Sequence, residues 1–385
     1  MSKHVVLLGA GHAHIHVLKM LAKARQRSAD ANNPNSVVGA RITVVSPYAS
    51  LAFPAMIPGW IAGHYNLADC EVPVQPLADA AKAQWIQSKV VSIDRAKKSI
   101  ALLNGEVLQY DFLSLNTGAV ANIESLPGAR EHGILLRPLE QFIAQWENVS
   151  AQISNQSSVE KHAHIVVIGG GASGVEIALA ARHHFMRPGF SVGVTLIAAH
   201  DADAPESAAK SAYQSAVQQA TRREGVSVMH GQCVEKLSAG FAHLASGAEV
   251  AADYFIVATG AAAAPYLRAS GLYCDAQGFV RTNAHLQSVN DAAIFAVGDC
   301  ATMDDAKQQR SGVHALRAAQ PLGENLMRAL QGKNLKVYRP KYAARFLIST
   351  GAKHAISVSG DATSSGRLAW EWKNWLDRGF VRKYR

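Results

Sequence analysis

At 385 residues the chain is long for a single hydrophobic core, so two domains with a smaller element are expected. Hydrophobic residues make up 49% and charged residues 17%, an ordinary globular composition. No uninterrupted apolar run of about 18 residues is present, and Met1 leads through Lys3 and His4 straight into a short strand with no signal-peptide layout, so a cytoplasmic protein is expected. The net charge of +9 is localised: residues 1–330 carry 26 Lys+Arg against 26 Asp+Glu, residues 331–385 carry 12 against 3. Three of the six tryptophans, Trp370, Trp372 and Trp375, share that basic tail, a mixture that suits an anionic membrane surface at least as well as a phosphodiester backbone. No nucleic-acid partner is expected. The four cysteines are widely spaced and form no CxxC or CxxxxC pair, so buried, unpaired thiols are expected.

Taken in chain order, the first element is "HVVLLGAGHAH" (His4 to His14), an apolar β-branched strand that ends in a glycine turn and opens a helical pattern. Strand "ARITVVS" (Ala40 to Ser46) follows, and "YDFLSLNTG" (Tyr110 to Gly118) ends in Thr-Gly. After the polar, loop-like "SNQSSVEKH" (Ser154 to His162) the pattern returns as "HIVVIGGGASGVE" (His164 to Glu176), "VGVTLIAA" (Val192 to Ala199) and "DYFIVATG" (Asp253 to Gly260). Two copies of one two-part pattern imply two related dinucleotide-binding domains. Next come the strand "LQSVNDAAIFAVGDCA" (Leu286 to Ala301), a helix "GVHALRAAQPLGENLMRAL" (Gly312 to Leu330), two short strands "ARFLIST" and "HAISVSG", and an aromatic-rich terminal helix. The fold class is α/β: two Rossmann-like dinucleotide-binding domains and a small C-terminal α+β segment.

The second glycine turn, Gly169 to Gly174, fits GxGxxG fully. Its glycines allow a tight turn, close approach of backbone to a pyrophosphate and tight helix packing, and the helix N-terminus offers free N–H groups to the anion. The strand after it ends Ala198-Ala199-His200, without the usual ribose-binding carboxylate; Asp201 lies one position further, and His200 would tolerate a 2′-phosphate, so NADH and NADPH both remain open. The first turn, Gly9-Ala10-Gly11-His12-Ala13-His14, keeps two glycines and places His14 where the third belongs. Its strand-end acid is replaced by Ser46, followed by Pro47. On a strand His12, His14 and His16 would share a face and could make a metal site; on a helix His12 and His16 share a face and His14 points away, so no metal is expected. A wider helix–strand gap, or the polar edge of a bound cofactor, is expected to accommodate His14. Gly298-Asp299 closes an apolar strand, where an aspartate can accept hydrogen bonds from a polyol chain, and the helix from Gly312 can aim its N-terminal dipole at a reduced, negatively charged ring.

The order GxGxx, Thr-Gly, GxGxxG, Thr-Gly, "IFAVGD" resembles the flavoproteins of the pyridine nucleotide-disulfide reductase superfamily, and within it the type II NADH dehydrogenase and sulfide:quinone reductase branch. "LLGAGHAH", "IPGWIAGHY" (Ile57 to Tyr65) and "WKNWLDRGF" (Trp372 to Phe380) further resemble the flavoprotein domain found fused ahead of selenophosphate synthetase. The resemblance implies a discontinuous FAD domain over residues 1–118 and 272–330, an NAD(P)H domain over 119–271, and an interface or membrane-contact segment over 331–385. It implies that Gly9, Ala10, Gly11, His12 and Ala13 hold the FAD pyrophosphate, that Ser46 and Pro47 stand at its ribose, that Thr117 and Gly118 line it, and that Gly298 and Asp299 bind the ribityl chain. Gly169, Gly171, Ala172, Ser173 and Gly174, with Thr259 and Gly260, would hold NAD(P)H. Glu176, His314 and Arg317 are the candidates for tuning the flavin.

The disulfide-reductase CxxxxC is absent, only Cys300 adjoins a flavin motif, and the AQxAxQ of type II NADH dehydrogenases is replaced by Gly312-Val313-His314-Ala315-Leu316-Arg317. The expected activity is hydride uptake from NAD(P)H by FAD, with electrons passed to a second acceptor such as a quinone. A sulfur or selenium oxidoreductase with another donor, and a non-catalytic flavin-binding partner protein, are the alternatives. In the terminal helix Leu368, Trp372, Trp375, Leu376 and Phe380 fall on one stripe opposite Glu371, Arg378, Arg382 and Arg385. That stripe is expected to pack on its own domain or a dimer partner, or to contact the membrane peripherally on its inner face.

Overall fold

The computed structural model describes residues 2–29, 39–157, 161–199, 210–303, 312–340, 345–360 and 362–385. The expected ribose-site positions His200 and Asp201 lie outside these.

Two parallel sheets organise the chain. The first runs in the order Gln84–Ile86, Arg41–Val45, His4–Leu8, Phe112–Leu115, Asp291–Ala296, all parallel, and is extended beyond Asp291–Ala296 by three short strands. The second runs Ser227–His230, Phe190–Ala198, Lys161–Ile168, Tyr254–Val257, Gly133–Leu135, again all parallel. The central strands are buried runs of Val, Ile and Leu, because helices cover both faces of a parallel sheet. Each unit also inserts a three-stranded antiparallel meander before its fourth strand: Val90–Asp94, Ser99–Leu102 and Val107–Gln109 in the first, Val234–Ser238, Phe241–Leu244 and Glu249–Ala251 in the second. The chain crosses between the units on Val120–Ala121 and Ala261–Ala262, which pair antiparallel.

The helix His12–Ala29 packs on Gly312–Leu330, and their close approach explains Gly323: a Cβ there would stand 2.7 Å from Met20 Sδ. At the C-terminus three strands form a meander, Phe346–Thr350, Ala352–Ser359 and Ala362–Gly366. The third was not expected, because its Ala-Thr-Ser-Ser-Gly sequence carries no apolar alternation, as suits an edge strand with exposed side chains. The final helix, Arg367–Tyr384, buries Trp370, Lys373, Asp377, Val381 and Tyr384. Of the alternatives expected for the apolar stripe, packing on the chain's own domain is thereby corrected. Leu368, Trp375 and Leu376 are 87%, 70% and 42% exposed, while only Trp372 and Phe380 of that stripe are half-buried. Among the described residues no helix is long and apolar enough to cross a membrane. All four cysteines are free, but the expectation of burial holds for Cys70 and Cys300 alone; Cys233 is exposed.

Candidate functional site: two glycine turns beneath a common helix

Both glycine turns sit at the carboxyl ends of parallel strands, the edge at which doubly wound sheets bind ligands. In the first, Gly9 has φ +85° and its Cβ would fall 2.5 Å from Asn116 O; a Cβ on Gly11 would lie 2.4 Å from Asn116 Oδ1. Asn116, absent from the expected site, is the hub of this turn. Its Oδ1 accepts hydrogen bonds from the Ala13 and His14 amides at 3.0 and 3.4 Å, and its Nδ2 donates to Val297 O at 3.0 Å. One amide therefore caps the helix and fixes the strand end that carries Gly298-Asp299. Its only signal in the sequence is an asparagine where the second Thr-Gly strand has Ala258.

His14 is fully buried. Nδ1 lies 2.5 Å from Gly9 O and Nε2 lies 2.8 Å from Ser114 Oγ. A carbonyl can only accept, so Nδ1 carries the proton and Nε2 accepts from the serine. Burial pushes the imidazole down to about 4, so the ring is neutral. Of the two expected ways of accommodating His14, the cofactor edge is corrected: both nitrogens are taken by protein, with the small Ser114 facing the ring.

Ser46 is buried, and its Oγ donates to Tyr48 O at 3.1 Å; Pro47 continues the same turn. Thr117 Oγ1 bonds Tyr266 Oη at 3.0 Å, tying the first Thr-Gly to the short helix Pro265–Ala269. A Cβ on Gly118 would meet nothing within 4 Å. Asp299 is held by Arg137, whose Nη1 lies 3.0 Å from Oδ2. Arg137 approaches from beside the helix Leu139–Ser154, far from the glycine motifs in sequence, and was not expected. Cys300 is sealed in: its Sγ donates to Val297 O and Leu115 O, and burial pushes the thiol up to about 11, the profile of an inert core cysteine. The helix Gly312–Leu330 begins beside this strand end, with Ala315 Cβ 3.3 Å from where a Gly298 Cβ would stand. His314 is buried there, and Arg317 acts electrostatically on Tyr338.

In the second turn Gly169 has φ +126°, and Cβ atoms on Gly169 and Gly174 would stand 2.6 Å from Ala258 O and 1.9 Å from Gly169 O. Gly171 opens onto free space, Ala172 and Ser173 begin the helix Ala172–His184, and Gly260 also faces open space. Thr259 Oγ1 is buried without a partner. Glu176, half-buried, turns towards the C-terminal segment, where its Oε1 accepts the Ser349 amide at 2.8 Å. Lys373 and Asp377 pair beside it at 2.6 Å, and Lys373 also donates to Ala55 O. Burial raises the Glu176 carboxyl to about 7, against the pull of Lys373 and the Ser349 amide, with Asp377 adding to the rise.

The terminal helix reaches both turns. His12 lies against Phe53 and Phe380 with ring centroids 5.5 and 5.7 Å away, and those two rings stack at 4.3 Å. One turn on, His16 Nδ1 bonds Tyr384 Oη at 2.6 Å.

The residues fit a dinucleotide in each unit. Both turns bring glycines that no side chain could replace, Gly9 and Gly11 in the first and Gly169 and Gly174 in the second, to the start of a helix at the carboxyl ends of parallel strands. FAD and NAD(P)H together supply two-electron hydride chemistry. Such a pair of units defines a two-dinucleotide flavoprotein oxidoreductase. Residues 3–321 match the family described as pyridine nucleotide-disulphide oxidoreductase. The chain belongs to that family and is an FAD-dependent NAD(P)H dehydrogenase. Among curated relatives, ferroptosis suppressor protein 1 of Taeniopygia guttata is 30% identical over 317 residues, covering 77% of this chain and 79% of the relative. The mitochondrial external alternative NAD(P)H-ubiquinone oxidoreductase B2 of Arabidopsis thaliana is 25% identical over 339 residues, 79% of this chain and 55% of that protein. Two solved structures share the fold: sulfide:quinone oxidoreductase from Aquifex aeolicus (TM-score 0.78, 18% identity, 100% and 92% of the two chains) and NDH2 from Plasmodium falciparum with NADH (0.77, 12%, 100% and 97%).

Proposed function

We propose that the chain takes a hydride from NAD(P)H in the unit of residues 119–271 and passes two electrons, through FAD held by residues 1–118 and 272–330, to a quinone. The observation that carries this reading is the terminal helix. Its inner face lays Phe380 on His12 and Lys373 beside Glu176, while Leu368, Trp375 and Leu376 are left to solvent with the Arg367–Glu371 pair between them and, contrary to the opposite face expected for Arg382 and Arg385, with Arg382, Lys383 and Arg385 exposed further along the helix. An apolar stripe rimmed by cations fits the surface of an anionic bilayer, which dissolves quinones. We read the protein as peripheral, on the inner face of the membrane. Relatives named as NAD(P)H-ubiquinone oxidoreductases support the acceptor class. Quinol formation consumes two protons, and the Glu176 carboxyl, raised to about 7 by burial, would hold one in this reading. Asp299 and Arg137 would grip the ribityl chain and fix the ring. Within the family, we infer a likeness to the flavoprotein domain fused ahead of selenophosphate synthetase from the stretches at residues 7–14, 57–65 and 372–380, which meet in the fold through His12 against Phe380 and Tyr65 Oη donating to Asn374 Oδ1 at 3.0 Å.

Rapid mixing of the purified yellow protein with NADH or NADPH, then with a short-chain quinone, tests the reading. Bleaching by the nucleotide and recolouring by the quinone are expected. With a long-chain quinone in anionic vesicles, the paired substitution Trp375→Ser and Leu376→Ser should lower turnover about tenfold and leave the short-chain rate unchanged. Reoxidation by oxygen or a sulfur compound but by no quinone would overturn the acceptor.

A further inference from the structure

We propose that the groove between the C-terminal meander and the first turns of the terminal helix is a seat for the phosphate headgroup of an anionic phospholipid. The proposal rests on the reading that this side of the protein lies on a membrane, and it names what the groove would hold there. The strands Ala352–Ser359 and Ala362–Gly366 pair Ser357 with Ser364 and Ser359 with Ala362, so alternation puts the three serines on one face of the sheet. Leu368 and Trp372 of the helix Arg367–Tyr384 turn that face into a groove of about 320 Å³, open to solvent. Arg345, one residue ahead of the strand Phe346–Thr350, completes the lining.

The chemistry of the groove selects an anion with several oxygens. The Arg345 guanidinium carbon sits 4.6 Å from the centre of the Trp372 ring, a contact that fixes a long side chain in place and leaves its edge donors available. Among the described residues, no hydrogen bond or ion pair to protein engages that guanidinium or the hydroxyls of Ser357, Ser359 and Ser364. A planar fork of N–H groups beside hydroxyls matches the oxygens of a phosphate, and a neutral quinone would leave the arginine charge unmatched. The surrounding charge agrees. Residues 331–385 carry 12 Lys+Arg against 3 Asp+Glu; Glu371 is paired with Arg367 and Asp377 with Lys373, while Asp361 lies outside the described residues.

The rim separates a lipid from a free phosphate. Leu368 is 87% exposed, and it shares one helix face with Trp372 and with Trp375, which is 70% exposed. A small soluble anion makes no use of that surface, whereas a phospholipid brings its chains to it.

The test is vesicle binding by the full-length flavoprotein, in wild-type form and as Arg345→Lys and Arg345→Gln. The vesicles contain phosphatidylglycerol in phosphatidylcholine, or phosphatidylcholine alone. Lysine keeps the charge and loses the fork, so both variants should weaken binding to the phosphatidylglycerol vesicles tenfold, equivalent to about 1.4 kcal/mol. Binding to phosphatidylcholine alone should not change, and the rate from NADH to a short-chain quinone should stay at the wild-type level, which shows an intact fold. Ser357→Ala with Ser359→Ala leaves every charge in place and should weaken the same binding severalfold; it carries the comparison should the Arg345 variants misfold. If Arg345→Lys binds as tightly as wild type, surface charge alone is read and the proposal falls. It falls too if inorganic phosphate at matched ionic strength releases the protein from the vesicles, since the seat then takes the free ion. Tighter binding to polyglutamate than to the vesicles would overturn it in favour of an acidic protein partner. A wild-type protein that binds no vesicle overturns the membrane reading beneath the proposal, a distinguishable result.

Discussion

The two dinucleotide units agree down to single hydrogen bonds. His4 opens the first unit's central strand: its amide donates to Asp111 Oδ2, its Nδ1 meets Gln109 O and its Nε2 meets Thr43 Oγ1. In the second unit His164 does the same with Asp253, Ala251 and Thr195. Against that shared frame the turns differ at three positions that touch one another. Gly174, Ile256 and Ala258 of the second unit are replaced by His14, Ser114 and Asn116 in the first. In the second unit closeness alone does the work: Gly174 lies under Gly169 O, and Ala258 leaves space beside it. In the first, a histidine fills the gap and is held by the serine, while the asparagine caps the helix start. The third glycine of the motif therefore serves helix–strand packing, and a matched set of polar side chains can replace it.

Gly174→Ala should break the comparison most severely. The new methyl would stand 1.9 Å from Gly169 O, a backbone atom that cannot move aside without opening the turn. NAD(P)H binding should weaken by about 100-fold, with FAD content preserved. Titration of nucleotide against the purified flavoprotein measures both; unaltered NAD(P)H affinity would mean that the turn is looser than its geometry.

His14→Gly comes next. It removes two buried hydrogen bonds and leaves a cavity, for a loss of about 2–4 kcal/mol and a drop in FAD content. Adding Ser114→Ile and Asn116→Ala, which completes the second unit's pattern, should recover about half of that loss. Three mutually dependent positions predict such non-additivity, and thermal melts of the single and triple variants test it. Strict additivity would show that His14 acts alone.

Much of this arrangement was legible before any coordinates, and the exceptions share a cause. Glycine turns, Thr-Gly strand ends and the Gly-Asp terminus are local patterns whose physics lies within a few residues. Asn116, Arg137 and Lys373 act across the fold, on Val297, Asp299 and Ala55, and no spacing rule connects those pairs. The terminal helix shows the limit of periodicity. Its most apolar stripe looked like the packing face, yet the inward face carries Lys373 and Asp377, which can be buried because each neutralises the other. Hydrophobic counting ranks such a face last. What holds His14 was missed for a similar reason, since the serine bonded to it lies in another strand.

The smallest expected effect separates the two helices that follow the turns. Glu176 occupies in the second the place of His16 in the first, and both meet the terminal helix. The Glu176 carboxyl is raised to about 7 by burial, above its ordinary value of 4.5. A carboxyl raised in the folded state favours folding while protonated, so its contribution is fully present below about pH 4.5 and is lost as pH rises through about 7. Glu176→Gln keeps an acceptor for the Ser349 amide but removes this titration. The variant should gain on wild type between pH 5 and pH 8, by about 1–2 kcal/mol or a few degrees in Tm, with little difference at pH 4. Lys373 opposes the rise by favouring the carboxylate, so replacing it with methionine should move the wild-type transition upward in pH. Melts across that range decide the matter: a constant offset between Glu and Gln would mean that Glu176 is charged throughout and that the terminal helix holds a fixed ion cluster rather than a titrating one.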